Sequence, residues 1–245
     1  MAIFYAAGQS GALVHAIGIL HNAGIEFLPC PDRQATHLLL PVPSFDPDGY
    51  IKGGISLEGL LWQLPEDVTV IGGGLSRPEL EHYNTIDLLE DAEYVADNAA
   101  ITACCAMRLA AARLPVVWRG CPVLVVGWGR IGKCLARLLF QLGARVAVAA
   151  RKEQDRAMLR AFGYEALDMK DMEPRKYRVI FNTVPSMVLP ECPGNGLKID
   201  LASVPGIGGG DVIVARGLPG KDAPESAGAL IAQTVLRKID WEGFT

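Results

Sequence analysis

Four apolar residues, Val123-Leu124-Val125-Val126, lead straight into Gly127-Trp128-Gly129-Arg130-Ile131-Gly132, where an amphipathic helical pattern opens. The glycine spacing alone is weak evidence; between a buried strand and a helix start it reads as a dinucleotide-binding turn. Each glycine has its own physical reason. Gly127 permits the tight turn, Gly129 lets backbone approach a diphosphate, and Gly132 lets helix and strand pack closely. Free N–H groups and the dipole at the helix start, from Trp128 through Arg130 and Ile131, favour the anion. The alternative is a glycine-rich turn that holds no ligand.

The end of the next strand bears on which dinucleotide binds. NAD-binding turns carry an acidic side chain there to take the ribose 2′-hydroxyl. This sequence has Ala150 followed by Arg151 and Lys152. No carboxylate repels a 2′-phosphate and two cations can meet it, which points to NADP rather than NAD. The competing reading makes Arg151 and Lys152 a solvated helix entry.

Ligands of open α/β sheets lie beyond the carboxyl ends of the strands. That rule gathers Thr183-Val184-Pro185-Ser186, Ala202-Ser203 and Gly217-Leu218-Pro219 around the nicotinamide end. Pro185, Pro205 and Pro219 each stop a strand ladder and stiffen the loop that follows. Asp200, at a strand end, has two readings: a catalytic carboxylate, or a tie to neighbouring backbone.

Positioning these turns takes two αβ patterns. The first has strands at 2–7, 25–28, 37–42, 68–71 and 85–89, with helices at 11–22, 56–64 and from Arg77. A Pro/Gly/Asp-rich loop or short hairpin occupies 43–54. Residues 99–114 are Ala-rich and free of Gly and Pro, so they read as one helix stopped by Pro115. The second pattern has strands at 123–126, 145–150, 179–182, 198–201 and 212–215. Its helices lie at 133–142 and 154–162, with a last one from Pro224 to about Ile239. The alternation predicts an α/β fold of two Rossmann-like lobes, a flavodoxin-like N-terminal lobe and an NAD(P)-binding C-terminal lobe, joined by a long helix. The expected divisions are a substrate or partner lobe at 1–97, an NADP lobe at 98–223, and a helix at 224–245 packing back on the first lobe.

Composition narrows the partners. With 23 Lys and Arg against 27 Asp and Glu, the net charge is −4 and no basic run appears, which excludes a nucleic-acid binder held by phosphate contacts. Half the residues are hydrophobic, enough for a core without staples. Cys30, Cys104, Cys105, Cys121, Cys134 and Cys192 form no CxxC pair, and no zinc-ligand spacing exists. They read as reduced thiols of a cytoplasmic protein, and no metal is expected. The stretch before Glu26, the first charged residue, is broken by glycines and polar side chains and has no basic flank. It reads as neither a leader nor a membrane span. The long Ala-rich helix is compatible with a homo-oligomer.

The runs GWGRIG, NTVPSM, DLAS, GLPG and APESAG, in this order and spacing, resemble the dipicolinate synthase A family of spore-forming bacteria. The likeness is good over 98–239 and looser over the first 97 residues, which look shortened. It implies a two-lobed dehydrogenase-like fold with NADP on the second lobe. It also implies a sporulation role on a branch of the lysine/diaminopimelate pathway, oxidising a dihydrodipicolinate-type intermediate to dipicolinate. The partner it implies is a flavoprotein-like second subunit. Two departures stand out. Where the family carries Pro-Thr-x-Glu-Gly, this chain has Ile101-Thr102-Ala103-Cys104-Cys105, and Val204 follows DLAS in place of a polar or basic residue.

A small cyclic dicarboxylate needs cations or clustered N–H groups. Lys221, the Gly8–Gly11 turn and the Gly72–Gly74 turn are candidates for this role. Asn98 and Thr102 at the lobe junction, with Ser186 and Ser203 at strand ends, complete the catalytic or substrate-binding candidates, and no general base stands out. Two other functions fit the pattern. A D-2-hydroxyacid dehydrogenase-like enzyme would need a histidine acid/base, and all four histidines precede residue 83. A non-catalytic NADP-binding scaffold or sensor would need none.

Overall fold

The computed structural model describes residues 2–241. The chain divides into two compact units, Met1–Asn98 with Pro219–Thr245, and Ala99–Leu218. Residues 219–223, grouped with the second lobe on sequence, therefore belong to the first unit.

The first unit contains β1 (Ile3–Ala6), α1 (Gly11–Asn22), β2 (Glu26–Phe27), β3 (His37–Leu39), α2 (Leu57–Leu61), β4 (Thr69–Gly72) and β5 (Thr85–Asp87). The strands are parallel in the order β2-β1-β3-β4-β5, the flavodoxin-like arrangement. Fully buried Phe4, Leu38, Leu39, Leu40, Val70 and Ile71 make the sheet apolar on both faces, as a helix-covered parallel sheet requires.

Helix α3 (Ala92–Ala111) begins in this unit, and α6 (Leu218–Asp222) and α7 (Pro224–Lys238) return the chain to it. The buried stripe of α1 is Ala12, Leu13, Ala16 and Leu20, spaced for one helix face. Its small residues let α7 come very close. A Cβ on Gly228 would stand 2.7 Å from the Ala12 carbonyl oxygen and 3.0 Å from the Ala16 nitrogen.

Helix α3 starts seven residues before the predicted 99–114 span and stops at Ala111. The early start has a cause in Asp91, whose Oδ1 accepts the Tyr94 amide at 2.8 Å as an N-cap. The helix expected from Arg77 is a single 3-10 turn, Pro78–Leu80. The helix expected at 56–64 closes at Leu61, and the next residues bond back three positions, tightening the chain ahead of Pro65.

The second unit contains β6 (Pro122–Val126), α4 (Arg130–Gln141), β7 (Arg145–Ala149), α5 (Glu153–Ala161), β8 (Glu165–Leu167), β9 (Val179–Asn182), β10 (Leu197–Asp200) and β11 (Val212–Val214). Its parallel order is β11-β10-β9-β6-β7-β8, the doubly wound order of dinucleotide folds. The register levels the strand ends. Val126 pairs with Ala149 and Asn182, Asn182 with Asp200, Asp200 with Val214, and Ala149 with Leu167. Every turn that leaves a carboxyl end therefore emerges along one edge of this sheet. Among the described residues no helix is long and apolar enough to cross a membrane.

Candidate functional site

The turn between β6 and α4 separates its three glycines by physical role. Gly127 has φ +103°, and a Cβ there would stand 2.5 Å from Thr183 Oγ1 and 2.8 Å from Val184 Cγ2. A Cβ on Gly132 would run into the Gly127 carbonyl oxygen. The protein itself thus requires the first and third glycines. Gly129 is different. It has φ −79°, open to any residue, and a Cβ there would meet nothing within 4 Å. What its bare backbone leaves is room against the start of α4. The first i−4 bond of that helix is Lys133 N to Gly129 O at 2.9 Å, so the amides of Arg130, Ile131 and Gly132 lie ahead of the helical ladder, with no capping side chain. Those amides and the open space fit a dinucleotide diphosphate.

Neighbouring turns are tied to this one. Thr183 donates from its amide and from Oγ1 to the Val126 carbonyl oxygen, each at 2.9 Å, so its hydroxyl holds the turn together. Asn182, fully buried, gives Nδ2 to Asp200 Oδ1 and to the Val184 carbonyl oxygen, and its Oδ1 accepts the Val184 amide. Asp200 also accepts the Ala202, Gly206 and Ile207 amides. Of the two readings of Asp200, the backbone tie is the one present: the carboxylate is 1 % exposed and its oxygens are occupied.

The remaining candidates on this edge divide by exposure. Pro185, Ser186 and Ser203 are exposed, Val184 is half-buried and Ala202 is buried. Gly217, with φ +66°, is exposed, whereas Leu218 is buried and Pro219 opens the return to the first unit. Arg216, which sequence reasoning passed over, stitches the end of β11 to that of β10 through Nε to the Ala202 carbonyl oxygen at 3.1 Å. Trp128 turns its ring toward Tyr164, edge-on at 5.9 Å, with the Lys133 ammonium 5.8 Å from the indole.

Arg151 and Lys152 are exposed, and among the described residues neither makes an ion pair. Their backbone is held by a residue the sequence did not single out. Arg156 Nη1 donates to the Ala150 and Arg151 carbonyl oxygens, each at 2.8 Å, and lies 2.9 Å from Asp168 Oδ2, while Nη2 pairs with Glu153 at 2.6 Å. The signal was a basic residue four positions after Lys152, indistinguishable in sequence from an ordinary helix-face charge.

Candidates in the first unit fare unequally. The Gly72–Gly74 turn does not offer the expected donors. Gly73 N is taken by Ser44 Oγ at 2.9 Å, and Gly74 and Leu75 amides by the Asp87 carboxylate. In the Gly8–Gly11 turn, Gln9 N donates to the Lys52 carbonyl oxygen at 2.7 Å, and the amides that open α1 are not capped by Ser10. Lys221 is exposed. Asn98 and Thr102 lie one turn apart on α3, half-buried and buried respectively.

At the departures from the family pattern, Cys104 is exposed, Cys105 buried, and Val204 52 % exposed. Burial, with Cys104 close by, raises the Cys134 thiol above its ordinary range, which keeps it protonated. No group of three or more His, Cys, Asp or Glu among the described residues could hold a metal ion.

No protein-family model matches the chain. It is similar to dipicolinate synthase A of Bacillus subtilis (strain 168), 28% identical over 237 residues that span 85% of this chain and 79% of the relative. The fold is that of the dipicolinate synthase A crystal structure from Bacillus halodurans, with TM-score 0.83, 23% identity and 97% of each chain covered. A transhydrogenase structure from Sinorhizobium meliloti shares it more distantly, with TM-score 0.66, 12% identity, and coverage of 97% of this chain and 93% of that one. The architecture is thus a two-unit, dehydrogenase-type α/β fold.

Proposed function

We propose that this chain is a dipicolinate synthase A-type component that uses NADP to oxidise a dihydrodipicolinate-type cyclic dicarboxylate to pyridine-2,6-dicarboxylate. When bound, the nicotinamide supplies a two-electron acceptor: hydride leaves the partly reduced ring, a proton is lost, and the ring becomes aromatic. The chain's own work is orientation. The amides of Arg130, Ile131 and Gly132 receive the diphosphate across the space that Gly129 leaves open. Arg151 and Lys152 meet the 2′-phosphate from a backbone held by Arg156. Thr183 and the Asn182–Asp200 pair fix the turns beside the reacting end. A flavoprotein-like partner belongs to this reading.

The observation that carries it is Gly129, a glycine that no protein contact requires, at the head of a helix whose first amides lack partners within it. Calorimetric titration of the purified chain with NADP⁺ and NAD⁺ tests it. NADP⁺ should bind at least about tenfold more tightly, and Arg151→Ala should bring the two close to parity. Equal or tighter NAD⁺ binding by the wild type overturns the choice of NADP, and silence with both overturns the dinucleotide site. Turnover follows from the near-ultraviolet absorbance of the aromatic product.

A second reading, dinucleotide binding without turnover, draws on exposed Val204 and Cys104, which place a methyl-bearing side chain and a thiol where the family carries polar groups. A chain that binds NADP⁺ but oxidises nothing, alone or with a flavoprotein partner, would favour it.

A further inference from the structure

The amino ends of β9, β10 and β11 lie on the edge of the second sheet opposite the Gly127–Gly132 turn, and a cavity of about 310 Å³ opens there. Three cationic side chains line it. Arg113 follows α3, Arg178 immediately precedes β9, and Lys198 sits within β10. Asp211, just ahead of β11, is the one acid among the described lining residues. Local bonds set this group in place. Arg113 Nη1 donates to the Leu109 carbonyl oxygen at 3.0 Å. The Arg178 amide donates to the Pro122 carbonyl oxygen at 2.8 Å, and the Arg178 carbonyl accepts the Leu197 amide at 2.9 Å. Gly196 makes that last approach possible, because a Cβ there would stand 2.5 Å from the Tyr177 carbonyl oxygen.

Lys198 is 7 % exposed, yet among the described residues its side chain makes no hydrogen bond and no ion pair. A shielded ammonium without a counter-ion is costly, and protein interiors normally pair one. Its charge reaches Cys192, where it opposes the rise that burial imposes on the thiol. Arg113, Arg178 and Asp211 also stand outside every ion pair of the described residues, so three positive charges face one negative across the cavity. The amides of Gly194, Asn195 and Gly196, in the turn beside them, donate to no acceptor among the described residues. Guanidinium groups around a glycine turn with free amides are a setting in which proteins hold phosphoryl oxygens.

We propose that this cavity binds the phosphoryl group of a small hydroxylated phosphomonoester. Charge decides the group: a phosphomonoester carries nearly two negative charges on three terminal oxygens. Those oxygens suit Lys198, Arg113 and Arg178, less the one charge of Asp211. Asp211 repels a second anionic end and accepts a hydroxyl from the remainder of the ligand. The volume sits at the lower end of the range for small-molecule pockets, a size for a small organic molecule rather than an ion alone. The site lies on the other edge of the sheet from the turn assigned to the diphosphate, and it stands whether or not that assignment does.

The test is calorimetric titration of the full chain, without dinucleotide, using glycerol 3-phosphate, inorganic phosphate and glutarate. Wild type, Lys198→Met, Arg178→Gln and Arg151→Ala are compared, with thermal melts of each. Glycerol 3-phosphate should bind the wild type more tightly than the other two probes, and weaken about 10- to 100-fold in Lys198→Met and in Arg178→Gln. Arg151→Ala, which alters the opposite edge of the sheet, should leave that affinity within about twofold. The melting temperature of unliganded Lys198→Met should stay level or rise, because an unpaired charge has left the interior. Silence with glycerol 3-phosphate, or equal affinity in wild type and Lys198→Met, overturns the proposal. A loss confined to Arg151→Ala also overturns it, by moving the anion to the dinucleotide turn. Glutarate binding as tightly as glycerol 3-phosphate overturns the phosphoryl assignment, and inorganic phosphate doing so overturns the hydroxylated remainder. Should Lys198→Met fail to fold, Arg178→Gln, at an exposed position, reads the same affinity by itself.

Discussion

Asn182 Nδ2 lies 2.9 Å from Asp200 Oδ1, a side-chain contact added to the backbone pairing that joins the carboxyl ends of β9 and β10 in the interior of the second unit. Asp200 has no cation beside it among its hydrogen-bond partners; its charge is met by one side-chain amide and three backbone amides. Such a carboxylate organises loops: it fixes where the chain goes after each strand, and with it the shape of the edge on which a ligand would rest.

Removing that acceptor leaves three backbone amides without a partner and strips Asn182 Nδ2 of one of its two acceptors. Asp200→Ala should lower unfolding free energy by about 3 kcal/mol or more, read from urea unfolding curves. Asp200→Asn keeps an oxygen for Asn182 and Ala202 but turns an amide toward Gly206 and Ile207, and should lose roughly half as much. A change below about 1 kcal/mol for the alanine variant would contradict this role.

The glycines make a discriminating pair. Gly132→Val should destabilise strongly, by about 3 kcal/mol, because its side chain would enter the Gly127 carbonyl. Gly129→Val should melt close to wild type, since its backbone angles suit any residue and its Cβ meets open space. The same variant should lose dinucleotide affinity by at least about 100-fold in calorimetry. Retained binding in a folded Gly129→Val would separate the turn from the diphosphate.

Stability should depend on pH through Asp91. Hydrogen bonds from Arg237, then Lys238 and the Tyr94 amide, hold its carboxyl well below the usual carboxylate range. A depressed value contributes stability that is complete above the unfolded value near 4 and is lost as pH falls from there toward the folded value. Asn at this position still caps a helix, so Asp91→Asn isolates the charge. The wild type should exceed it by about 1 kcal/mol at pH 7, a figure kept small because Arg237 and Lys238 are 42% and 37% exposed. The gap should narrow steadily below about pH 4 in urea unfolding.

Arg156→Ala should act through its neighbours. Freed from the Arg156 guanidinium, the Ala150 and Arg151 carbonyls lose their anchor, and NADP⁺ affinity should fall about 3- to 10-fold while NAD⁺ affinity changes little. Arg156→Lys should recover only part of the loss, because an ammonium cannot fork across two carbonyls and Asp168. Unaltered NADP⁺ affinity in the alanine variant would disconnect Arg156 from the phosphate end.

Local patterns made much of this fold readable. The run 123–132 holds its strand, turn and helix within ten consecutive residues, so its geometry is local. What escaped was set by distant partners. Strand β8, Glu165–Leu167, has no strong β composition and exists because β7 offers it an edge. The early start of α3 is fixed by Asp91, whose clamp comes from Arg237 and Lys238 near the other end of the sequence. The Gly72–Gly74 turn looked like a donor nest, but Ser44 and Asp87 consume its amides, and neither could be assigned that task before the strands were laid in order.

The first unit is sewn from both ends of the polypeptide, with the second inserted between Asn98 and Pro219. During synthesis the inserted unit emerges as one unbroken stretch, whereas the face of α1 that carries Ala12 and Ala16 must wait for α7 to leave the ribosome before Gly228 can seat against it. Until then that face of α1 lacks its covering helix for the whole time needed to translate the intervening residues, so the nascent first unit should engage chaperones until α7 has been made.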